Sequence, residues 1–321
     1  IMKAIRIHQA GEPEVLQYEE VADPVAGPGQ VLINLAASGI NYADVGARRG
    51  AAPASLPLTP GSEGAGTVAA VGEGVTEFKA GDVVACQGAP GCYAEKVAAP
   101  AARVVKLPQG MDPKTGAAVI LQGLTAHAMA FGACQMKAGD RVLVHAGAGG
   151  VGLLLIQIAK NAGAHVFATV GSDDKVEAAR SAGADEVINY STSDFDEAIK
   201  KSTNGAGVSA IFDSVGKATF LKDVNCLGPR GVIAVFGSAS GEVEPFDIAA
   251  LARVGGYVTR PGMGHYTGTR EEWLRRSNEL LGWVQTGKLK VRSTEYPLAQ
   301  ASRAHTDLQG RKTVGKLLLI P

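Results

Sequence analysis

The chain has no paired soft ligands. Its four cysteines, Cys86, Cys92, Cys134 and Cys226, are scattered without a CxxC pair, and its six histidines form no HxxxH or HxH pair. That argues against a disulfide framework or a structural zinc lobe, and a catalytic metal would need ligands gathered from distant segments. There is no charge excess of either sign. Lys plus Arg and Asp plus Glu both number 31, and no basic arm or acidic tail interrupts the chain. Bulk attraction to nucleic acid or an anionic membrane is therefore not expected. Uninterrupted apolar runs of the ~18 residues needed for a membrane span are missing, and the first residues alternate charges with apolar side chains, unlike a secretory leader. Residence in the cytoplasm is the expectation.

What is abundant is glycine, 42 residues in 321, while aromatics make up only 5%. So many glycines imply numerous tight turns or a backbone brought close to a ligand. With 46% hydrophobic and 19% charged residues, the composition is that of a globular protein. At roughly 100 to 200 residues per domain, the length favours two domains.

From Lys3 to about Val105, short β segments are separated by Gly and Pro clusters: Val31 to Leu35, Gly66 to Val71, Val83 to Cys86 and Tyr93 to Val97. One helix interrupts them near Asn41, where Asn41 and Asp44 have the spacing of a capping box. From Gly139 the pattern changes to strands alternating with helices. The strands are Arg141 to His145, His165 to Val170, Glu186 to Tyr190, Val208 to Asp213, Gly231 to Phe236 and Gly256 to Thr259. Helices fall near Gly150 to Asn161, Asp173 to Ser181, Asp194 to Ser202 and Lys217 to Leu227, with Ser172 and Ser193 as N-caps and Gly163 and Gly183 just past C-termini. This alternation predicts a doubly wound parallel α/β sheet. After Thr259 follow an amphipathic helix at Arg270 to Thr286, a strand at Leu289 to Arg292, a helix at Gln300 to Gln309 and an apolar strand at Lys316 to Ile320.

The densest chemical signal is Gly139-Asp-Arg-Val-Leu-Val-His-Ala-Gly-Ala-Gly-Gly-Val-Gly152. Gly147, Gly149 and Gly152 fill GxGxxG between a strand and an apolar helix, with Gly150 and Val151 opening that helix. A pyrophosphate needs backbone N–H donors and the positive end of a helix, and a Cβ at the central glycine would hold it away. The cofactor is set at the tip of the second strand, Thr169-Val-Gly-Ser-Asp-Asp-Lys175. Gly171 and Ser172 stand where a carboxylate would bind an NAD ribose, and Lys175 is placed to reach a 2′-phosphate. Asp173 and Asp174 complicate this, although a helix N-terminus favours acids on its own account. The residues favour NADP over NAD, and an ordinary solvated lysine remains the other reading of Lys175.

Nearly end to end, the chain resembles the medium-chain dehydrogenase/reductase superfamily, and within it the zinc-free, zeta-crystallin-like quinone oxidoreductases. The resemblance is carried by Pro28-Gly-Gln-Val-Leu-Ile33, Gly39-Ile-Asn-Tyr-Ala-Asp44, Pro60-Gly-Ser-Glu-Gly-Ala-Gly-Thr-Val68, Gly123-Leu-Thr-Ala126, the 139–160 stretch, Asp213-Ser-Val-Gly216, Phe236-Gly-Ser-Ala-Ser-Gly241 and residues 315–321. It implies a Rossmann fold, the doubly wound parallel sheet, plus a GroES-like β-rich domain. The implied boundaries are 1–122 and 261–321 for the GroES-like part and 123–260 for the NADP-binding part, with the active site in the cleft.

Where zinc enzymes of the superfamily carry ligands, this chain has Asn41, Ser62 and the Leu121/Gln122 region, so the resemblance implies no metal. An acceptor already electrophilic, a quinone or an enone, fits better than an alcohol. The resemblance also implies NADPH, with its 2′-phosphate held by Ser172, Lys175, Tyr190 and Arg311. Thr125, Val215, Phe236, Ser238 and Met263 would line the nicotinamide. Asn41 would donate to the acceptor's carbonyl, with Tyr42 and Tyr266 as pocket aromatics and Asp44 beside them; Asn41 and Asp44 also read simply as helix caps. Gly46 and Ala52 replace tyrosines of some relatives, which would widen the cleft mouth for bulkier quinones. The function implied is an NADPH:quinone reductase acting on a small molecule as a homodimer. The alternatives are a 2-alkenal or enone reductase and, less favoured, a crystallin-like or RNA-associated binding role.

Overall fold

The computed structural model describes residues 1–51 and 55–321; Ala52 lies outside them. The chain divides into two compact units. The first comprises Ile1–Leu124, Thr269–Gly287 and Val291–Pro321, and the second Thr125–Gly268 with Lys288–Lys290.

The first unit begins with an antiparallel pair, β1 (Met2–Arg6) and β2 (Gln17–Val21). Its main sheet starts with the long β3 (Gln30–Ile40), which leads into helix α1 (Tyr42–Arg48). Then come β4 (Glu63–Val71), β5 (Val83–Gln87), β6 (Lys96–Pro100) and β7 (Val104–Lys106). Helix α2 (Pro113–His127) runs on into a π-helical turn, Ala128–Ala133.

The second unit alternates β8 (Arg141–Val144), α3 (Gly150–Asn161), β9 (His165–Val170), α4 (Val176–Ser181), β10 (Glu186–Asn189), α5 (Phe195–Ser202), β11 (Val208–Asp213), α6 (Phe220–Cys226), β12 (Leu227–Val235) and β13 (Tyr257–Thr259). The chain then returns to the first unit through α7 (Arg270–Gln285), β14 (Ser293–Pro297), α8 (Ala301–Gln309) and β15 (Lys316–Ile320).

Among the described residues, the second unit's sheet has six strands in the order β10-β9-β8-β11-β12-β13. Every pairing is parallel. The order reverses direction between β8 and β11, the switch point at which open α/β sheets bind ligands beyond their carboxyl ends. Val142, Leu143, Val144, Ile211 and Phe212 are fully buried, as a sheet covered on both faces requires. In the first unit the main sheet runs β14-β15-β3-β4-β5-β7, with β6 also on β3. Strand β15 joins it by lying antiparallel to β3, with Leu317 opposite Ile40, so a strand from the far end of the chain completes a sheet begun near its start.

Several expectations shift. The strand expected at Leu289 to Arg292 is instead the polar β14, Ser293–Pro297, while Leu289 is a buried core residue. Asp194, not Ser193, caps α5. Ser172 precedes a short 3-10 turn, Asp173–Lys175, without accepting a side-chain cap bond. Gly163 and Gly183 take the left-handed φ expected of helix terminators, 84° and 110°. The helical segment Pro113–Ala133 is long and apolar enough to cross a membrane by length and composition, a feature missed in the sequence. Two thirds of its apolar window is buried inside the protein, which is how a core helix passes the same test.

Candidate functional site

In the second unit the glycine loop is shaped by what a Cβ would strike. At Gly152 it would lie 2.3 Å from the Ala146 carbonyl oxygen and 2.9 Å from Gly147 Cα, so the helix closes onto the loop only with glycine there. At Gly147 it would meet Ala168 Cβ at 2.9 Å, while at Gly149 the nearest atom, Ala146 O, is 3.2 Å away. The loop is fixed by Gly147 N–H donating to Thr169 O (2.8 Å) and Gly149 N–H to Ala146 O (2.8 Å). Helix α3 starts at Gly150 with Gly149 as its N-cap. The N–H groups of Gly150, Val151 and Gly152 belong to its first turn and have no intrahelical acceptor. Donors of that kind at the positive end of a 12-residue helix suit a pyrophosphate. Gly152 thus packs against the loop itself rather than only against the first strand.

Beneath the loop lies a polar pair that the sequence did not reveal. His145, fully buried at the end of β8, bonds Thr169 Oγ1 (2.8 Å) through Nδ1 and Asp223 Oδ1 (2.7 Å) through Nε2. Burial pushes Asp223 up to about 7, and Asp223 in turn holds His145 above its ordinary value against the opposing effect of burial.

At the tip of β9, a Cβ on Gly171 would sit 2.7 Å from the Tyr190 hydroxyl, so glycine is what lets Tyr190 fold over this turn. Ser191 Oγ donates to Gly171 O (2.8 Å) and Asn189 Nδ2 donates to Asp173 Oδ1 (2.8 Å). The turn therefore carries Gly171, Ser172 and Lys175, with Tyr190 against Gly171 and the Asp173 carboxylate tied to an asparagine amide. That asparagine is legible only once β10 is seen beside β9.

At the carboxyl ends of β11 and β12, Asp213 Oδ1 accepts the N–H groups of Val215 (2.7 Å) and Gly216 (3.0 Å), and Oδ2 accepts the Thr219 hydroxyl (3.0 Å). Phe236 N–H donates to Asp213 O (2.8 Å). Val215 and Phe236 are thus brought together, with Ser238 just beyond, its hydroxyl bonded to Glu242 (2.7 Å). Met263 opens a 3-10 turn that ends beside Tyr266, whose N–H donates to Met263 O (3.0 Å). Thr125, nearly buried, belongs to this unit on α2.

The remaining candidates lie in the first unit. Asn41 and Asp44 close a capping box at the start of α1, with Asp44 Oδ2 accepting the Asn41 N–H (2.8 Å). Tyr42 is half exposed and its hydroxyl donates to Leu308 O (3.1 Å). The Asn41 amide reaches residues not singled out in the sequence. Its Nδ2 donates to Glu63 Oε1 (2.7 Å), and its Oδ1 accepts from Lys316 Nζ (2.8 Å) and Gln122 Nε2 (3.3 Å). Lys316 also donates to Ile40 O (3.1 Å) and pairs with Glu63, both side chains buried.

Behind Asp44, the Tyr93 hydroxyl touches Asp44 Oδ2 (3.0 Å) and His305 Nε2 (3.0 Å), and Arg48 Nη1 faces His305 Nδ1 (3.4 Å). Burial raises Asp44 to about 6, while burial and the Arg48 guanidinium lower His305 to about 4. Arg311 is on the turn after α8, with a left-handed φ of 55°.

Residues 27–109 match the alcohol dehydrogenase GroES-like domain and residues 150–280 the zinc-binding dehydrogenase family. The chain is 39% identical to a quinone oxidoreductase of Pseudomonas aeruginosa, covering 99% of both, and 38% identical to a 2-haloacrylate reductase of Burkholderia, covering 100% of this chain and 99% of that one. The crystal structure of Escherichia coli quinone oxidoreductase complexed with NADPH superposes with a TM-score of 0.96 at 39% identity, over 99% of this chain and all of that one. The chain belongs to the quinone oxidoreductase family of the medium-chain dehydrogenase/reductase superfamily.

The zinc in that domain name does not fit the residues found here. Asn41 offers an amide rather than a thiolate, and the Lys316 ammonium lies within hydrogen-bonding reach of it and of Glu63. Among the described residues no group of three or more His, Cys, Asp or Glu could hold a metal ion. The nucleotide, by contrast, fits: Gly152 lets the Gly147–Gly152 loop close tightly onto the start of α3, whose first N–H groups have no intrahelical acceptor.

Proposed function

We propose that the chain is an NADPH-dependent quinone oxidoreductase whose reaction uses no zinc. The observation that carries this reading is the β9 tip, where Gly171 and Ser172 replace the ribose-binding acid and Lys175 and Tyr190 share the turn. The Gly150–Gly152 amides would hold the pyrophosphate, and Ser172, Lys175 and Tyr190 the 2′-phosphate. Thr125, Val215, Phe236, Ser238 and Met263 would orient the nicotinamide. When bound, the nicotinamide supplies hydride. The protein's own contribution is to position the reactants and to place a hydrogen-bond donor at the acceptor oxygen that gains charge. Asn41 Nδ2 is that donor, Tyr42 stands next to it in the chain, and Asp44 holds the Asn41 backbone.

A second reading, reduction of an activated double bond, is favoured by the relative named 2-haloacrylate reductase. The loss of NADPH absorbance with 1,4-benzoquinone, 9,10-phenanthrenequinone and trans-2-hexenal separates the two. Turnover of the quinones alone supports the first, turnover of the alkenal alone supports the second, and no turnover of any would defeat both. Among the described residues, a Cβ on Gly46 would meet only Ala51 Cβ, at 3.7 Å, which supports acceptance of the larger quinone.

We further read the protein as a cytoplasmic homodimer. Strand β13 is the outer strand of its sheet, and its Tyr257 and Val258 are exposed. An apolar open edge of that kind is suited to pairing with a second copy.

A further inference from the structure

The buried Lys316–Glu63 pair sits against Asn41. Lys316 arrives on β15, Glu63 opens β4, and Asn41 ends the β3–α1 junction. Glu63 Oε2 accepts the Leu121 N–H (2.9 Å), leaving Oε1 to Lys316 and the Asn41 amide. Gly39 makes room for the arrangement. A Cβ there would lie 2.3 Å from Glu63 Oε1 and 2.6 Å from Lys316 Cε.

An ammonium only donates and a carboxylate only accepts, so the pair leaves Asn41 one orientation. Oδ1 must face Lys316 and one Nδ2 hydrogen must face Glu63, which leaves the second Nδ2 hydrogen. The same logic passes to Gln122. Its Nε2 must face Asn41 Oδ1, and its buried Oε1 has no partner among the described residues.

We infer that Lys316 and Glu63 are positioning residues that fix the polarity of the Asn41 amide, so that its second Nδ2 hydrogen is presented to the acceptor's carbonyl oxygen. This rests on the reading of Asn41 as the carbonyl donor. Without the ammonium, Oδ1 could turn toward the acceptor and repel the oxygen that must gain charge.

The test is a double-mutant cycle between Asn41→Ala and the paired change Lys316→Met with Glu63→Gln, which removes both charges together and so strands neither in the core. Turnover of 9,10-phenanthrenequinone is measured at saturating NADPH, with NADPH affinity by calorimetry. Asn41→Ala should lower kcat by about 10²-fold, the scale for one such donor. The paired change should lower it at least about tenfold with NADPH affinity unchanged, and the triple variant should be no slower than Asn41→Ala. Gly39→Ala, which alters no charge, should reproduce the kcat loss. Losses that multiply in the triple variant, or a paired variant as fast as the parent while Asn41→Ala is slow, would overturn the positioning role alone. Full turnover by Asn41→Ala would instead remove Asn41 as the donor.

Discussion

In the proposed reading, single residues carry the nucleotide preference. Replacing Lys175 with Glu exchanges a charge-assisted contact for repulsion, so NADPH affinity should fall by at least the roughly 1.5–3 kcal/mol of a hydrogen bond to a charged group, while NADH affinity hardly changes. Calorimetry with each nucleotide checks this, and equal losses would place the 2′-phosphate elsewhere. Asp44 and His305 make a second test, of stability against pH. Asp44 is raised to about 6, so its contribution falls as pH rises from its ordinary 3.8 through 6. His305 is lowered to about 4, so its contribution falls as pH drops from 6.5 through 4. The two oppose each other across Tyr93. Asp44→Asn should therefore expose the histidine alone, and the variant's melting temperature should drop more than the parent's between pH 6.5 and 4. A shallower drop would contradict the assignment. At this scale the sequence singled out the glycines, Asn41 and Asp44 but neither Glu63 nor Lys316. The two are 253 residues apart, and Lys316 reads as the polar start of an apolar strand. The one local trace of their meeting is Gly39.

At the scale of elements, periodicity located the second unit well, because parallel strands buried on both faces are short β-branched runs that alternate with helices. It failed where burial and pattern part company. Strand β14 is polar and exposed along most of its length, so the neighbouring apolar residues Leu289 and Val291 misplaced it. Helix α2 has no polar stripe to mark its period, since Ala117 through Ile120 are all buried. The loop-to-helix junction yields a prediction of its own. Gly152→Ala would drive a methyl into the Ala146 carbonyl, a backbone atom that cannot step aside. The expected cost is about 1–3 kcal/mol of stability, together with loss of both NADPH and NADH binding. Parental binding of either nucleotide would show that the junction can relax.

For the molecule as a whole, neutral net charge and an open sheet edge frame the expected assembly. Tyr257→Lys places a charge on β13, the device by which edge strands avoid pairing. Sedimentation should then shift from dimer to monomer, and a parent that sediments as a monomer would remove the homodimer from the reading. The proposed independence from zinc can be checked in the same preparation. Treatment with a chelator should leave quinone turnover intact, and loss of turnover restored by zinc would reverse that conclusion.

The return of the chain to its first sheet bears on biosynthesis. The second unit is almost continuous in sequence, whereas the first needs β15 beside β3 before its sheet is whole. On the ribosome the nucleotide-binding half can mature while its companion still waits, with the Glu63 carboxylate lacking its counter-ion until Lys316 has cleared the exit tunnel.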